Sequence, residues 1–341
     1  MSTEFYCEEF PTEQNGKPVQ TLKDLLEACP EDSFHFMTPV GYVDLTAQDA
    51  ERLRQGAAAQ DLIPVVGSFA ALDKASAHCH AGRTLHVAVK CETGMGRLGF
   101  TQEELPQAVE RLRNIQGIAP VMALSHLSCA DTPGQEDYTR GQMKRFAAMT
   151  ATLGDAFPGM ERSLANSAAT IAWPEAHYDV CRPGIALYGG NPFAGTAWED
   201  KGAALGLEWA MSVSAPVIQV RRLEAGQSVS YGRLFTAEQP TVVAVVGIGY
   251  ATGFARALST RAALCINGRR VSQVGRVCMG MIMADVTDLP QVREGDTAWL
   301  VGGPTQPGQQ PVTVQDLADT LGTISYEVLC LLGATNPRLY V

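Results

Sequence analysis

Residues 85–115 read LHVAVKCETGMGRLGFTQEELPQAVERLRNI, the pattern of one strand followed by one helix. Apolar residues dominate Leu85–Lys90, which predicts a strand, and a glycine-rich turn follows it. Thr101 and Glu104 have the spacing of a capping box, so a helix is predicted over Thr101–Ile115. Strand–helix units of this kind build parallel α/β sheets and α/β barrels.

The same alternation continues on both sides of this unit. Further helices are predicted over Leu22–Cys29, Asp49–Ala59 and Tyr138–Phe157. Alternating strands and helices indicate parallel strands joined by crossovers, and a closed barrel of this type has eight strands. We count seven predicted strands, namely Phe5–Cys7, Phe34–Met37, Leu62–Val66, Leu85–Lys90, Val121–His126, Ser163–Asn166 and Val180–Leu187.

After about Leu205 the pattern changes to short strands and turns. One helix is predicted over Thr313–Leu321, with Thr313 as its N-cap. We therefore expect an α/β barrel domain over residues 1–204 and an all-β domain over residues 205–341. The strands predicted in the second domain are Ser212–Arg221, Ser228–Tyr231, Thr241–Ile248, Ala262–Val274, Met279–Val286 and Thr297–Val301.

Composition excludes several classes of function. The net charge of -10 disfavours a nucleic-acid-binding protein, which needs a basic face. No apolar run is long enough to span a membrane, and the acidic N-terminus lacks the apolar core of a signal peptide. The nine cysteines form no C-x-x-C pair, so we interpret them as reduced thiols of a cytoplasmic protein. His78-Cys79-His80 is interpreted as a surface patch, and no metal site is predicted.

Polar residues stand at the ends of several predicted barrel strands. Active sites of α/β barrels form at the carboxyl ends of their strands. In the second domain, a tyrosine follows an apolar strand and is flanked by glycines, which permit close backbone approach. The candidate residues are Lys90, Arg97, Ser125, His126, Asn166, Ser167, Arg182 and Tyr250.

Several segments resemble the motifs of alanine racemases, in that family's order and with similar separations. The resemblance implies a pyridoxal 5′-phosphate (PLP) enzyme with an eight-stranded N-terminal α/β barrel and a C-terminal β domain. It also implies a head-to-tail homodimer with shared active sites that interconverts L-alanine and D-alanine for peptidoglycan synthesis. The segments are 90–100 (KCETGMGRLGF), 166–188 (NSAATIAWPEAHYDVCRPGIALY), 228–232 (SVSYG), 249–253 (GYATG), 275–279 (GRVCM) and Tyr326-Glu327.

The resemblance also implies a role for each matching residue. Arg97 would contact the substrate side of the cofactor, Met279 would lie by the substrate carboxylate, and Lys90 would be a carbamylated lysine that pairs with Arg97. Tyr250 of the partner subunit would be one of the two opposed acid–base groups that racemisation requires. The residues implied to bind the cofactor are His126, Asn166, Ser167, Arg182, Gly184, Ile185 and Tyr326.

The sequence departs from the family pattern in three places. The family's Schiff-base lysine belongs to a motif like K-A-x-A-Y-G-H-G, which is absent here, and Thr252 and Gly280 replace two family aspartates. Together with the strand count, the absent motif leads us to expect an α/β barrel without its first strand–helix unit, in a chain shortened at its N-terminus. Residues 1–8 would then match the family's second strand. The chain's six lysines are Lys17, Lys23, Lys74, Lys90, Lys144 and Lys201, and we place only Lys90 at a strand end.

Three alternatives to alanine racemisation follow from these departures. Thr252 and Gly280 leave open a racemase of another amino acid, such as serine. The absent lysine leaves open a catalytically inactive paralogue that binds PLP or acts as an interaction protein. In a third alternative, Lys90 replaces the missing lysine.

Overall fold

The computed structural model of the chain describes residues 63–77, 84–337 and 339, together with four short strands nearer the N-terminus. The molecule divides into two compact units. The first contains the described residues up to Leu187 and also Asn191–Leu207, and the second contains Tyr188–Gly190 and the described residues from Glu208 onward. Outside the described residues lie the predicted helices Leu22–Cys29 and Asp49–Ala59 and the cluster His78-Cys79-His80.

The first unit is built on a five-stranded parallel sheet with the strands in chain order. Ala88 in the second of these strands pairs with Val65 on one side and Met122 on the other. Parallel neighbours that are consecutive in sequence require crossover connections. This arrangement confirms the predicted α/β class. The strands are β5 (Val65–Val66), β6 (Leu85–Lys90), β7 (Ile118–Leu124), β8 (Glu161–Asn166) and β9 (Val180–Arg182).

Helices connect these strands and pack on the sheet. The capping box predicted before the second helix is confirmed, because Thr101 N–H donates to Glu104 Oε2 at 2.9 Å and Glu104 N–H to Thr101 Oγ1 at 3.2 Å. The described helices of this unit are α1 (Phe69–Ala77), α2 (Leu105–Asn114), α3 (Glu136–Ala156), α4 (Ser167–Ala172), α5 (Gly184–Leu187) and α6 (Glu199–Ala203).

The predicted strand Val180–Leu187 is too long. The observed strand β9 ends at Arg182, because Pro183 has no N–H group with which to continue the ladder. The chain then turns directly into α5 at Gly184. This early turn leaves Arg182 as the last residue of its strand.

Four short strands nearer the N-terminus form two antiparallel pairs. Two of these strands, β1 (Phe5–Cys7) and β4 (Phe34–Phe36), confirm the predicted positions but pair antiparallel with each other rather than within the parallel sheet. Three-residue patterns do not distinguish the two pairings, and an antiparallel pair needs no crossover helix. The other pair joins β2 (Glu13–Gln14) to β3 (Lys17–Pro18).

The second unit is built around a closed six-stranded antiparallel barrel with the order β10-β13-β16-β15-β14-β17. Its core is apolar and includes Val246, Leu264 and Ile282, which are fully buried. The strands of this unit are β10 (Val213–Leu223), β11 (Ser228–Val229), β12 (Phe235–Thr236), β13 (Thr241–Val246), β14 (Ala263–Ile266), β15 (Arg269–Val274), β16 (Ile282–Asp285) and β17 (Thr297–Val301).

Two sequence predictions for this unit need correction. The predicted strand Ala262–Val274 is a hairpin, because Asn267 and Gly268 both adopt positive φ, at 50° and 75°, and form its turn. The predicted helix is observed as α7 (Val314–Leu321), but a second helix, α8 (Ser325–Thr335), follows it. Its sequence, SYEVLCLLGAT, is apolar on most sides and therefore lacks the helical period.

In the part of the chain that the structure describes, no single helix is long and apolar enough to cross a membrane. The pair α7 and α8 passes that test together, by length and composition alone, but is bent by 109°.

The cap of α7 provides a test of the second unit. Thr313 Oγ1 accepts from Asp316 N–H at 3.0 Å, and Asp316 Oδ2 accepts from Thr313 N–H at 2.8 Å. We expect Thr313→Ala to lower the free energy of unfolding by about 1 kcal/mol, the usual effect of losing a hydroxyl cap. Urea denaturation measures the change, and Thr320→Ala in the same helix is the matched control. Equal effects of the two substitutions would contradict the assigned cap.

Candidate functional site

The loop after β6 folds back onto its own strand. Phe100 N–H donates to Lys90 O at 2.9 Å, and Glu92 N–H donates to Phe100 O at 2.8 Å. Gly99 has a φ of 126°, and a Cβ there would lie 2.7 Å from the carbonyl carbon of Cys91. The close approach and the positive φ therefore require glycine at this position.

The carboxylate of Glu92 organises the interior of this loop. Its oxygens accept hydrogen bonds from the N–H groups of Gly94, Gly96 and Arg97, at 2.5, 3.0 and 3.2 Å. Burial raises the pKa of Glu92, but these hydrogen bonds outweigh it, so the pKa lies below its usual value. The ionised carboxylate thus holds the backbone from which the Arg97 side chain extends.

Two side chains from α3 hold the outside of the loop. Tyr138 Oη donates to Gly94 O at 2.6 Å, and Arg145 Nε donates to Thr93 O at 2.6 Å. A Cβ at Gly94 would lie 2.8 Å from both of these side chains. Sequence reasoning gave no role to Glu92, Tyr138 or Arg145, although Glu92 lies in the segment 90–100, because each acts on backbone groups whose proximity the sequence does not show.

Arg182 is the centre of a buried polar network. Only 9% of it is exposed, and its guanidinium donates to Ser163 Oγ and, at 2.5 Å, to Ser125 O. Ser125 Oγ donates to Cys91 O at 2.7 Å and lies 2.7 Å from Thr93 Oγ1. The network therefore joins β8 and β9 to the residues that follow β6 and β7.

Lys90 lies beside this network at the end of β6. It is 3% exposed, and no carboxylate of the described residues forms an ion pair with it. Burial, with the nearby positive charges of Arg182 and Arg97, lowers the pKa of Lys90 from 10.5 to about 7. A large fraction of its amine is therefore neutral near neutral pH.

His126 is the fourth basic residue of this region. Burial, together with the charges of Arg182, Lys90 and Arg97, lowers its pKa to about 3. The imidazole is therefore neutral over the physiological pH range. The structure thus brings four of the predicted candidate residues into one region. We call this region the basic cluster, and its members are Lys90, Arg97, His126 and Arg182.

The other predicted cofactor residues of this unit follow β8 and β9. Asn166 caps α4 through Oδ1, which accepts from Ala169 N–H at 3.0 Å. Ser167 Oγ accepts from Ala186 N–H at 3.2 Å, so this hydroxyl ties α4 to α5. A Cβ built on Gly184 would meet no atom within 4 Å, which leaves open space at the start of α5.

These features fit PLP. An open space beside Gly184 suits a phosphate approaching backbone N–H groups, including that of Ile185. Arg182, which stays charged at any ordinary pH, suits a ring nitrogen that accepts a hydrogen bond. The basic cluster suits the anionic groups of the cofactor and of an amino-acid substrate.

In the second unit, Tyr250 and Met279 come together. Tyr250 N–H donates to Cys278 O at 3.1 Å, and Ala251 N–H donates to Met279 O at 2.9 Å. A Cβ at Gly249 would lie 2.3 Å from Cys278 O, so glycine is required for this approach. The side chains of Tyr250 and Met279 are 43% and 63% exposed, which leaves both accessible in this unit.

The residues that replace the family aspartates have different surroundings. Thr252 Oγ1 donates to Gly249 O at 3.1 Å and closes the turn after Tyr250, while Asn336 Nδ2 donates to Thr252 O at 2.9 Å. Gly280 has open space where a side chain would stand.

Tyr326, the predicted cofactor residue of the second unit, lies in the first turn of α8. This tyrosine is 42% exposed.

Comparison with known proteins gives consistent matches. The family model described as the N-terminal domain of alanine racemase matches residues 37–192, and the C-terminal domain model matches residues 210–340. An alanine racemase of Nitratidesulfovibrio vulgaris (strain DP4) is 50% identical over 284 residues, which are 83% of this chain and 74% of that protein.

Solved structures agree with the sequence matches. The crystal structure of biosynthetic alanine racemase from Pseudomonas aeruginosa is similar with a TM-score of 0.70 and 35% identity, covering 86% of this chain and 76% of that one. Alanine racemase from Streptomyces coelicolor A3(2) is similar with a TM-score of 0.77 and 28% identity, covering 96% and 85%.

Burial of Lys90 leads to a pH-dependent stability. The folded chain releases the Lys90 proton at about pH 7, whereas an unfolded lysine keeps it until about pH 10.5. The unfolded state therefore binds more protons between these values, and we expect the free energy of unfolding to rise with pH by up to about 1.4 kcal/mol per unit from this group.

Lys90→Met should remove that slope, and the exposed-lysine control Lys144→Met should keep it. Urea denaturation at several pH values, in buffer free of carbon dioxide, measures the slope for the unmodified chain and for the two variants. Equal slopes for all three proteins would contradict the burial of the Lys90 amine.

The role of Glu92 in its loop gives a second test. We expect Glu92→Gln to speed hydrogen exchange at the N–H groups of Gly94, Gly96 and Arg97 by roughly tenfold, since hydrogen bonds to a charged acceptor are lost. Mass spectrometry of the peptide that contains the loop follows the exchange. Glu110→Gln on α2 is the control and should change nothing; unchanged exchange in Glu92→Gln would show that the carboxylate does not hold the loop.

Proposed function

The chain belongs to the alanine racemase family, and on that premise we propose that it interconverts L-alanine and D-alanine with PLP. The observation that carries the proposal is the basic cluster of Lys90, Arg97, His126 and Arg182 at the carboxyl ends of parallel strands. That edge is where α/β barrels bind their ligands. The positive charge of the cluster comes from the guanidinium groups of Arg97 and Arg182, which favour a ligand with a phosphate and a substrate with a carboxylate.

The resemblance to the family assigns a role toward the cofactor to each of several residues of the chain. Arg182 would donate to the ring nitrogen, Gly184 and Ile185 would offer N–H groups to the phosphate, and Tyr326 would offer its hydroxyl. His126, Asn166 and Ser167 would line the same site. When bound, PLP spreads over its ring the electron pair that a substrate carbon keeps when it loses its proton. An arginine is too weak an acid to protonate the ring nitrogen, so Arg182 would orient the ring and leave that nitrogen without a proton of its own.

Tyr250 would hold or move a proton at the substrate α-carbon through its phenolic oxygen. Its exposure, and that of Met279, supports a homodimer in which these side chains complete the site of the partner subunit. Arg97 would contact the substrate side of the cofactor, and Met279 would lie by the substrate carboxylate. We propose that the protein acts in the cytoplasm. There it would supply D-alanine for peptidoglycan synthesis.

Lys90 would be carbamylated. Its neutral amine can attack carbon dioxide, forming an N–C bond and releasing a proton, and the resulting carbamate anion would pair with Arg97. Burial beside two guanidinium groups supports this step, because it lowers the pKa of the amine and favours an anion in its place. A carbamylated Lys90 would have no free amine with which to replace the family's Schiff-base lysine.

A specific observation also supports a second function, PLP binding without catalysis. The K-A-x-A-Y-G-H-G motif, which carries the family's Schiff-base lysine, is absent from the sequence. The basic cluster needs no such lysine to bind the cofactor. A single pair of measurements, cofactor binding and proton exchange, distinguishes the two functions.

Proton exchange at the α-carbon of alanine tests the proposal. We expect the chain with added PLP to exchange the α-proton of L-alanine for deuterium in D₂O and to form D-alanine, faster than PLP alone. Tyr250→Phe should slow exchange by about 100-fold or more, the range for loss of an acid–base group. Proton NMR and chiral chromatography measure both, and L-serine tests the wider substrate range. Cofactor binding with no exchange of any amino acid would contradict the proposal in favour of the non-catalytic function.

A further inference from the structure

We propose that Ser163 is a positioning residue for Arg182, and that its hydroxyl sets the orientation in which the guanidinium meets the pyridine nitrogen of the cofactor. The inference rests on the proposed function and adds to it a residue that no motif of the sequence marked. Ser163 itself would touch neither the cofactor nor the substrate.

Ser163 occupies a position in the sheet where its hydroxyl has no access to solvent. It is fully buried in the middle of β8, where it follows the exposed Arg162 and precedes the buried Leu164. A buried hydroxyl costs free energy unless it is hydrogen-bonded, so its partners determine its orientation. Ser163 Oγ donates to Val180 O at 2.7 Å, which leaves its lone pairs for a donor.

Arg182 is the donor to this hydroxyl. Arg182 Nη1 donates to Ser163 Oγ, while Nη2 of the same group donates to Ser125 O. A guanidinium is planar and rigid, so two acceptors on different nitrogens fix both its position and its plane. One acceptor comes from β8 and the other from the residue after β7.

The two acceptors are not equivalent. The Ser125 carbonyl is part of the backbone and remains whatever side chain stands there. The Ser163 hydroxyl is a side chain, and its own donation to Val180 O, in the strand that ends with Arg182, ties β8 to β9. Loss of this hydroxyl would remove the side-chain acceptor of Nη1 and leave the backbone acceptor of Nη2 in place.

The experiment compares two ligands in two proteins. One ligand is PLP, and the other is its analogue in which a C–H group replaces the pyridine nitrogen. Fluorescence titration gives the dissociation constant of each with the unmodified chain and with Ser163→Ala. We expect the unmodified chain to prefer PLP by roughly tenfold or more, as a hydrogen bond from a charged donor would produce. Ser163→Ala should reduce this preference by about threefold or more, with less effect on the analogue.

Two further variants separate positioning from general loss of structure. Thr150→Val removes a buried hydroxyl of α3 that bonds only to backbone carbonyls of its own helix, and it should leave the ligand preference unchanged. Ser163→Cys has nearly the same shape but accepts hydrogen bonds weakly, so its preference should fall between those of serine and alanine. Neither readout depends on turnover.

Each outcome has one meaning. A preference that falls in Ser163→Ala and not in Thr150→Val supports the inference. An unchanged preference in Ser163→Ala, or equal weakening of both ligands, overturns the inference and leaves the proposed function intact. Failure of the unmodified chain to bind either ligand overturns both.

Discussion

The burial of Arg182 is the constraint on which the rest of the first unit depends. A guanidinium stays charged at every ordinary pH, and a buried charge is stable only when its N–H groups have acceptors. Those acceptors come from Ser163 in β8 and from Ser125 after β7. The guanidinium therefore meets both acceptors only when β7, β8 and β9 all pair in the observed register. The turn at Pro183 completes the arrangement, because it ends β9 at the residue that carries the charge.

The buried charge also controls its neighbours. Arg182 is among the causes that lower the pKa of both Lys90 and His126, after burial itself. The result is a region where one lysine is half neutral near pH 7 and one histidine is neutral throughout the physiological range. The positive charge of the region is then that of the guanidinium groups, which suits a phosphate, a carboxylate or a carbamate.

Much of this arrangement could be predicted from the sequence, because it rests on local signals. The alternation of strands and helices, the capping box at Thr101 and the strand-end position of Lys90 were predicted from the sequence, whereas the end of β9 at Arg182 was not, because the strand was predicted to run on to Leu187. The antiparallel pairing of Phe5–Cys7 with Phe34–Phe36 was not predicted either, because three-residue strands leave their partners undetermined. The same holds for the unpredicted helix α8, whose apolar residues follow no period.

The interactions that hold the site together were hidden for a different reason. Glu92, Tyr138 and Arg145 act on backbone groups, and a sequence does not show which carbonyl or N–H lies within reach. Ser163 is another example, since a serine within a strand is an ordinary residue until its partner is known. Motifs mark the residues that meet the ligand, whereas the residues that position them are found only from distances.

The proposed function depends on the basic cluster holding PLP with Arg182 toward the ring nitrogen. A crystal structure of the chain grown with PLP tests this claim most directly. We expect the ring nitrogen within hydrogen-bonding distance of the Arg182 guanidinium and the phosphate at the N–H groups of Gly184 and Ile185. A cofactor bound elsewhere, or bound in this region with its phosphate against Arg182, would contradict the account.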